Sequence, residues 1–340
     1  MDTFDVLASL IKAVVVFGAV ITSVMVMTLA ERKISGFMQY RHGPNRVGPR
    51  GLLQPLADGV KFLFKEDIIP SNAIKPIYLL APAITLIPAL MTFAIIPFGA
   101  PLYIGGREVL LQVANINIGV LYILALTSVG VYGIVLAGWS SGSKYPLIGG
   151  LRASAQLISY ELAMGLAIIG VIMISGGLTL NEIVGHQQDT GWNFWKQPLA
   201  TLVFLVAIFA ETNRLPFDLT EAEQELVGGY HTEYSSFKFA MFMLSEYANM
   251  ITASAFMVCL FFGGWDIPWV DEGAMGVWGA VLSVLAFSFK VGLFLFLYIW
   301  VRWTFPRFRY DQLMRLGWMV MLPLGLLNVL LVGLWMALTV

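Results

Sequence analysis

Eight long apolar stretches constrain the fold of this 340-residue chain more than any other feature of its sequence. A helix needs roughly 20 apolar residues to cross the hydrocarbon core of a bilayer. Lipid cannot form hydrogen bonds with the backbone, so only helices and closed barrels, which pair their own backbone groups, span a membrane. We therefore predict an all-α polytopic membrane protein with eight transmembrane helices in a single membrane domain. The expected helices lie at about residues 7–30, 76–98, 118–139, 156–177, 197–212, 239–263, 276–301 and 317–339.

Lysine and arginine are divided unequally between the two sides of this eight-helix arrangement. Sixteen of the 20 fall in the odd-numbered connections, whereas only Arg107 and Lys196 fall in the even-numbered ones. Because positively charged loops are retained in the cytoplasm, we expect both termini on the outer side of the membrane. The cytoplasmic connections are then residues 31–75, 140–155, 213–238 and 302–316.

The first connection contains a segment with a helical polar–apolar pattern, "RGLLQPLADGVKFLFKED". Asp58 and Lys61 fall on its polar side, and Leu56, Val60 and Leu63 fall largely opposite. This pattern predicts an amphipathic helix lying in the headgroup plane or covering a cavity. Before it, "YRHGPNRVGPRG" places Gly and Pro between arginines and indicates turns.

Negative charge concentrates where the fifth apolar stretch ends. Residues 210–236 hold six of the 21 acids but only one lysine or arginine, Arg214. An acidic loop is ordinarily just solvated, but this one breaks the basic pattern of the cytoplasmic connections, and Pro216 and Phe217 indicate an ordered, partly buried turn. The acids are Glu211, Asp218, Glu221, Glu223, Glu225 and Glu233.

Ionisable residues inside apolar stretches are costly and are candidates for function. Glu161, Glu211 and Glu246 are the carboxylic acids of this kind, and Lys12 and Lys290 are the lysines. A protonatable carboxyl at such a position can pass protons on. The alternative, which the sequence leaves open, is that each Glu pairs with a cation of a neighbouring helix and only fixes packing.

Motifs for other chemistry are missing from the sequence. The single cysteine, Cys259, lies in an apolar stretch and predicts a buried thiol, and the three histidines lack metal-ligand spacing. Neither a dinucleotide fingerprint nor a phosphate-binding loop occurs. We therefore expect no metal, no covalently bound cofactor and no nucleic-acid partner.

Three long motifs carry a family resemblance: "AERKISGFMQYRHGPNRVGPRGLLQPLADGVKFLFKE", "AETNRLPFDLTEAEQELVGGYHTEYS" and "PRFRYDQLM". They are similar to the family of H-type membrane subunits of respiratory complex I, the proton-pumping NADH-quinone oxidoreductase. The resemblance implies a subunit of the bacterial inner membrane that is inactive alone. It also implies a chamber for ubiquinone or menaquinone, with FMN and the iron–sulfur clusters held by peripheral partner subunits on the cytoplasmic side.

The resemblance further implies roles for particular residues. A proton or charge path starts in this subunit and leads towards small and antiporter-like membrane subunits beside it, with lipid around the rest. Residues implied for that path are Glu161, Glu211, Glu246, Asp218, Glu221, Glu223, Glu225 and Glu233, and those implied for the quinone entrance are Arg32, Arg41, Arg46, Asp58 and Phe217. Some family members carry a further Glu in the third helix, which is absent from "LYILALTSVGVYGIVLAGW" here.

Two other functions are consistent with buried carboxylates. A homologous membrane subunit of an energy-converting hydrogenase would keep the path but have no quinone. A stand-alone ion-coupled transporter would move a substrate by itself, although the sequence shows no internal repeat of the kind that many such transporters have.

Overall fold

The computed structural model describes residues 3–104, 107–220, 223–268, 270 and 275–339. This part of the chain is mostly helical with almost no strand, which confirms the all-α membrane fold class. Seven of its helices are long and apolar enough to cross a membrane. In chain order the helices are α1 (Thr3–Met38), α2 (Gln54–Phe64), α3 (Lys75–Met91), α4 (Gly119–Ser140), α5 (Lys144–Ser175), α6 (Leu180–Thr190), α7 (Asn193–Lys196), α8 (Pro198–Glu211), α9 (Glu223–Leu226), α10 (Ser236–Phe261), α11 (Val277–Thr304), α12 (Tyr310–Arg315) and α13 (Leu322–Thr339). A π-helical turn, Leu316–Met321, joins α12 to α13.

The predicted fifth transmembrane helix is shorter than the other seven. Helix α8 has 14 residues, or about 21 Å at 1.5 Å per residue, so a count of eight full spans is not confirmed. It begins late because Gln197 has a non-helical backbone (φ −133°, ψ 63°) and Pro198 occupies the first helical position. It ends at Glu211, just before Asn213 adopts a positive φ of 52°.

Helix α5 corrects the expected third connection, residues 140–155. The chain is already helical from Lys144, which leaves only a short turn after α4. Close backbone packing explains this extension despite the glycines in the sequence. A Cβ at Gly149 would lie 2.8 Å from the backbone N of Tyr230, so only glycine lets this turn of α5 pack against that segment.

The connections on the predicted outer side have more structure than bare loops. Strands β1 (Gly99–Ile104) and β2 (Arg107–Leu111) form a two-stranded antiparallel hairpin, a small exception to the all-α fold. Helix α6 starts with a capping box, in which the Thr179 hydroxyl accepts from Glu182 N at 3.2 Å. Gln187 of α6 then donates to the Cys259 carbonyl at 2.8 Å and ties this connection to α10.

Helices α5, α8 and α10 contribute most of the enclosed core. In α8, Ala200, Phe204 and Ala207 have no exposed surface, and Cys259 of α10 is also fully buried, as predicted. Large apolar side chains on α1, α11 and α13 face outward instead, for example Leu330 at 70% exposure. This distribution places α8 inside the bundle and leaves the outer helices to contact lipid or other subunits.

The expected amphipathic helix is present as α2, and it has no buried residue. Its apolar residues Leu63 and Phe64 are 64% and 86% exposed. Asp58 on its polar side faces the protein, where it pairs with Arg32 of α1 at 2.5 Å, whereas Lys61 is exposed. The apolar face of α2 is therefore open on the side of the bundle that carries most of the positive charge.

The two lysines within apolar stretches bind backbone carbonyls. Lys290 Nζ donates to the carbonyl oxygens of Phe262, Gly264 and Asp266 at 2.8, 3.0 and 2.6 Å, beyond the end of α10. Lys12 Nζ donates to the Leu110 carbonyl at 3.3 Å. Both lysines therefore tie neighbouring segments of the backbone together.

Candidate functional site

The segment after α8 folds back into the protein and is held there by one glutamine. Gln156 of α5 donates through Nε2 to the carbonyl oxygens of Ala210 at 2.7 Å and Phe217 at 2.8 Å. Residues 214 and 216–220 are buried, as expected for an ordered turn. Because both ends of the turn are bound to the same side chain, the position of Arg214 between them is fixed by α5.

Arg214 is the centre of a buried charge network. Its side chain is only 6% exposed, and its Nε lies 2.8 Å from Glu246 Oε1 in α10. Its Nη1 lies 3.4 Å from Glu31 Oε1 in α1, and its guanidinium stacks 4.4 Å from the centre of the Tyr247 ring. Burial alone would lower the pKa of Arg214, but the Glu246 and Glu31 carboxylates outweigh it and raise that pKa above its ordinary value.

Glu31 is a member of this network that the sequence did not single out. It is 7% exposed and also contacts Arg302 of α11. The Tyr247 hydroxyl donates to its second oxygen at 2.7 Å. Two carboxylates and two guanidinium groups therefore meet among α1, α10, α11 and the turn after α8. Glu246 is ion-paired in this arrangement, as the packing alternative for the buried acids predicts.

A narrow polar cavity leads from this network to the end of α8. Its volume is about 30 Å³, which is room for one or two water molecules. Glu211 and Glu246 both line it, together with Thr85, Thr127, Thr212, Asn213, Thr220, Tyr230, Ser245 and Asn249. A second cavity, also about 30 Å³, shares Glu211 and Asn249 with the first and extends along α10 to Thr252.

Glu211 and Glu161 are the two acids at the end of the cavity that lies away from Arg214. Glu211 Oε2 is buried without a hydrogen-bond partner within the described residues. Glu161 of α5 interacts with Glu211 electrostatically and accepts a hydrogen bond from Ser128 of α4. No ion pair joins Glu211 or Glu161 to a cation in the described part of the chain. Their surroundings therefore differ from those of Glu31 and Glu246, which share Arg214.

The remaining acids of the loop that the structure describes differ in exposure, from the buried Asp218 to the exposed Glu225. Asp218 pairs with Arg307 at 2.6 Å, and the half-exposed Glu225 pairs with Arg152 of α5 at 2.6 Å. Glu233 is partly exposed, and its carbonyl accepts from the Tyr78 hydroxyl at 2.6 Å. Glu221 lies outside the described residues, and for Glu223 the description covers only the backbone, at the start of α9.

The residues expected at a quinone entrance fall into two environments. Arg41 and Arg46 are exposed on the turn-rich segment before α2, where Arg41 donates to Gln39 at 2.6 Å. Phe217 is instead buried, with its ring 5.3 Å from Tyr160 and 5.5 Å from Phe308 between centres. Arg32 and Asp58 join α1 to α2 between these regions, so the structure does not bring all five residues together.

Sequence comparison finds relatives over almost the whole chain. The family described as NADH dehydrogenase matches residues 11–333. An H-type subunit of the NADH-quinone oxidoreductase of Cytophaga hutchinsonii is 52% identical, with 94% of this chain and 93% of that protein aligned. An H-type subunit of the same enzyme from Geobacter metallireducens is 54% identical over 96% and 95% of the two chains. NADH-quinone oxidoreductase subunit 8 of Rhodothermus marinus is 53% identical over 96% of each.

Proposed function

Because the chain belongs to the NADH dehydrogenase family and is similar over its length to H-type subunits of NADH-quinone oxidoreductase, we propose that it links quinone reduction to proton movement in that complex. The protein is a multi-pass membrane subunit of an oxidoreductase, and its activity depends on other subunits. The near full-length relatives support this assignment over an energy-converting hydrogenase or a stand-alone transporter.

The observation that carries the proposal is the continuity of buried polar groups from Glu31 to Glu161. Arg214 bridges Glu31 and Glu246, the water-sized cavity bridges Glu246 and Glu211, and Glu211 interacts with Glu161. Ionisable groups inside a membrane are expensive to maintain, so a line of them indicates a route for protons or charge. The route connects the side bearing the acidic loop to the interior of the helix bundle.

Quinone reduction supplies the charge that drives this route. The quinone accepts two electrons from a peripheral partner subunit and takes up two protons to form the quinol. Negative charge that develops beside the loop attracts Arg214, which is shared between two carboxylates at 2.8 and 3.4 Å. When Arg214 shifts away from Glu246, the Glu246 carboxylate takes up a proton that the cavity water relays from the Glu211 carboxyl group, and Glu211 becomes ionised in turn. Glu211 and Glu161 then respond through the same water and through their mutual electrostatic interaction.

The entrance for quinone lies at α2. Its exposed apolar residues, such as Leu63 and Phe64, suit an apolar quinone tail arriving from the bilayer. Arg32 and Asp58 hold α2 against α1 and lie where the polar quinone head passes. FMN and the iron–sulfur clusters belong to peripheral subunits that dock on the cytoplasmic side, near the exposed Arg152–Glu225 pair. The subunit lies in the bacterial inner membrane, with its termini on the outer side and further membrane subunits beside it.

Charge-neutral substitutions in the assembled complex test this function. In Glu211→Gln the shape is nearly unchanged, so the complex assembles, but NADH-driven quinone reduction falls by about tenfold or more, because a proton-transfer group is lost. NADH oxidation by an artificial acceptor that acts upstream of quinone stays normal. Asp189→Asn is the matched control, because Asp189 is an exposed acid of α6 that lines neither polar cavity. Normal quinone turnover and pumping in Glu211→Gln would contradict the proposal.

A further inference from the structure

The two water-sized cavities meet beside the end of α8. Four residues line both of them: Thr127, Glu211, Thr212 and Asn249. The Thr127 hydroxyl donates to the Leu124 carbonyl at 2.9 Å. The Thr212 hydroxyl donates to the Ile208 carbonyl, also at 2.9 Å. Backbone carbonyls therefore already take the donors of both threonines, which leaves the Glu211 carboxyl and the Asn249 amide to interact with water where the cavities meet.

The Asn249 amide has hydrogen-bonding groups that the protein does not use. An amide offers two N–H donors and one oxygen acceptor, and within the described ranges no residue forms a hydrogen bond with this side chain. Asn249 lies in the middle of α10 but keeps accessible surface, because its side chain borders the cavities. A polar group without a protein partner is costly inside a helix bundle, and water in the cavities can satisfy it.

Helix α10 places this amide beside Glu246. The two residues are three positions apart on the helix, so their side chains lie on one face, and both line the first cavity. Glu211 lines the same cavity from the end of α8. Because about 30 Å³ holds only one or two water molecules, water that contacts the two carboxyl groups also lies next to the Asn249 amide.

We propose that Asn249 is a positioning residue that orients the water between Glu211 and Glu246, an inference that rests on the function proposed above. In the transfer, the O–H bond of the Glu211 carboxyl breaks and its proton binds to the water oxygen. One O–H bond of the water breaks at the same time, and that proton binds to the Glu246 carboxylate. The water is restored, so the step needs no other reactant. Asn249 Oδ1 accepts the hydrogen that stays on the water and thereby directs the other hydrogen at Glu246.

An uncharged amide suits this position. A third carboxylate would compete for the proton, whereas an amide neither gains nor loses one near neutral pH. After each transfer the water must turn before it can carry the next proton, and the amide can donate through Nδ2 in that orientation as well. A side chain without hydrogen-bonding groups would leave the water in many orientations and slow the transfer.

A pair of variants with the same shape tests this role in the assembled complex. Asn249→Thr keeps one donor and one acceptor, whereas Asn249→Val has neither. We expect NADH-driven quinone reduction to be about tenfold slower in Asn249→Val than in Asn249→Thr, because the relay water is no longer oriented. Infrared difference spectra between oxidised and reduced quinone give the second readout. A water band that shifts in heavy-oxygen water should be present in the native complex and in Asn249→Thr, and absent from Asn249→Val.

A steric pair tests the water without changing Asn249. Gly130 of α4 lines the first cavity, and an added Cβ there meets nothing within 4 Å. Gly130→Val therefore places methyl groups in the cavity, and it should remove the water band and slow quinone reduction. Gly292→Val of α11 is the control, because Gly292 also has no atom within 4 Å of an added Cβ but lines neither cavity.

The outcomes separate this inference from the function on which it rests. Equal turnover in Asn249→Val and Asn249→Thr, or slow turnover in Asn249→Val with the water band unchanged, would overturn the role of Asn249. An unchanged water band in Gly130→Val would overturn it too. In each of these cases a loss of turnover in Glu211→Gln would still support the proposed function. Normal turnover in Glu211→Gln would instead contradict that function, and the inference with it.

Discussion

Replacing Arg214 by Met tests whether the buried charges form one interdependent network. The Arg214 side chain is 6% exposed, and its guanidinium lies 2.8 Å from Glu246 and 3.4 Å from Glu31. Methionine keeps much of the side-chain volume but removes the charge. Glu31 still has Arg302 after this change, whereas Glu246 loses the guanidinium that lies closest to it. The main loss is therefore that of the Arg214–Glu246 pair.

Breaking a buried ion pair from one side costs about 3–5 kcal/mol, because the remaining charge has lost its counter-ion. The Glu246 side chain is only 14% exposed, so bulk water hydrates its carboxylate only slightly. Adding Glu246→Gln removes that charge, and the double variant should recover about 2 kcal/mol relative to Arg214→Met alone. The exposed pair of Arg152 and Glu225 provides the control, since Arg152→Met should cost less than about 1 kcal/mol.

The assay is the amount of this subunit retained in the assembled complex over a denaturant series, measured on native gels for the two single variants, the double variant and the control. We expect Arg214→Met to lose the subunit at the lowest denaturant concentration and the double variant to retain more of it. If the two substitutions have additive effects, Arg214 and Glu246 are not coupled and the buried charges do not act as one network.

Three further changes test other parts of the structure. Gln156→Leu removes the donor from two buried carbonyls, at about 1–3 kcal/mol each, and should speed hydrogen exchange in residues 212–220; unchanged exchange would show that the turn is held otherwise. Gly51→Ala should expose the segment before α2 to protease, because Gly51 has φ 79° and an added Cβ would lie 2.1 Å from a backbone oxygen. Gly59→Ala is the control and should not change protease cleavage, because a Cβ there meets nothing within 4 Å. With the native cysteine replaced, Gly185→Cys should label from outside intact cells and Glu66→Cys should not, and the reverse pattern would invert the membrane orientation.

The apolar stretches were sufficient to predict the membrane fold, because burial of backbone in lipid leaves few alternatives. The amphipathic pattern also predicted α2, and the turn chemistry around Pro216 predicted an ordered loop. The shortness of α8 was less visible. Its start depends on the break at Gln197, where side-chain and backbone contacts within the folded bundle override the apolar pattern.

The members of the charge network could be predicted only in part. Glu246 and Glu211 stood out because they interrupt apolar stretches. Glu31 did not stand out, because the sequence "AERK" is typical of a helix that ends at the membrane interface. In the structure α1 continues to Met38, and Glu31 is buried. Arg214 counted only as a loop cation, since nothing local shows that Gln156 draws its turn inside. The capping box at the start of α6 was a usable signal, as Thr179 and Glu182 have the characteristic spacing.

Quinone reduction should change the protonation or hydrogen bonding of the buried carboxyl groups near Glu211, and this response tests the proposed coupling most directly. Infrared difference spectra of the complex, recorded between oxidised and reduced quinone, report carboxyl bands. We predict a carboxyl difference band that disappears in Glu211→Gln and persists in Asp189→Asn, with the quinone bands present in both. An identical carboxyl difference spectrum in the native complex and in Glu211→Gln would contradict the proposed coupling.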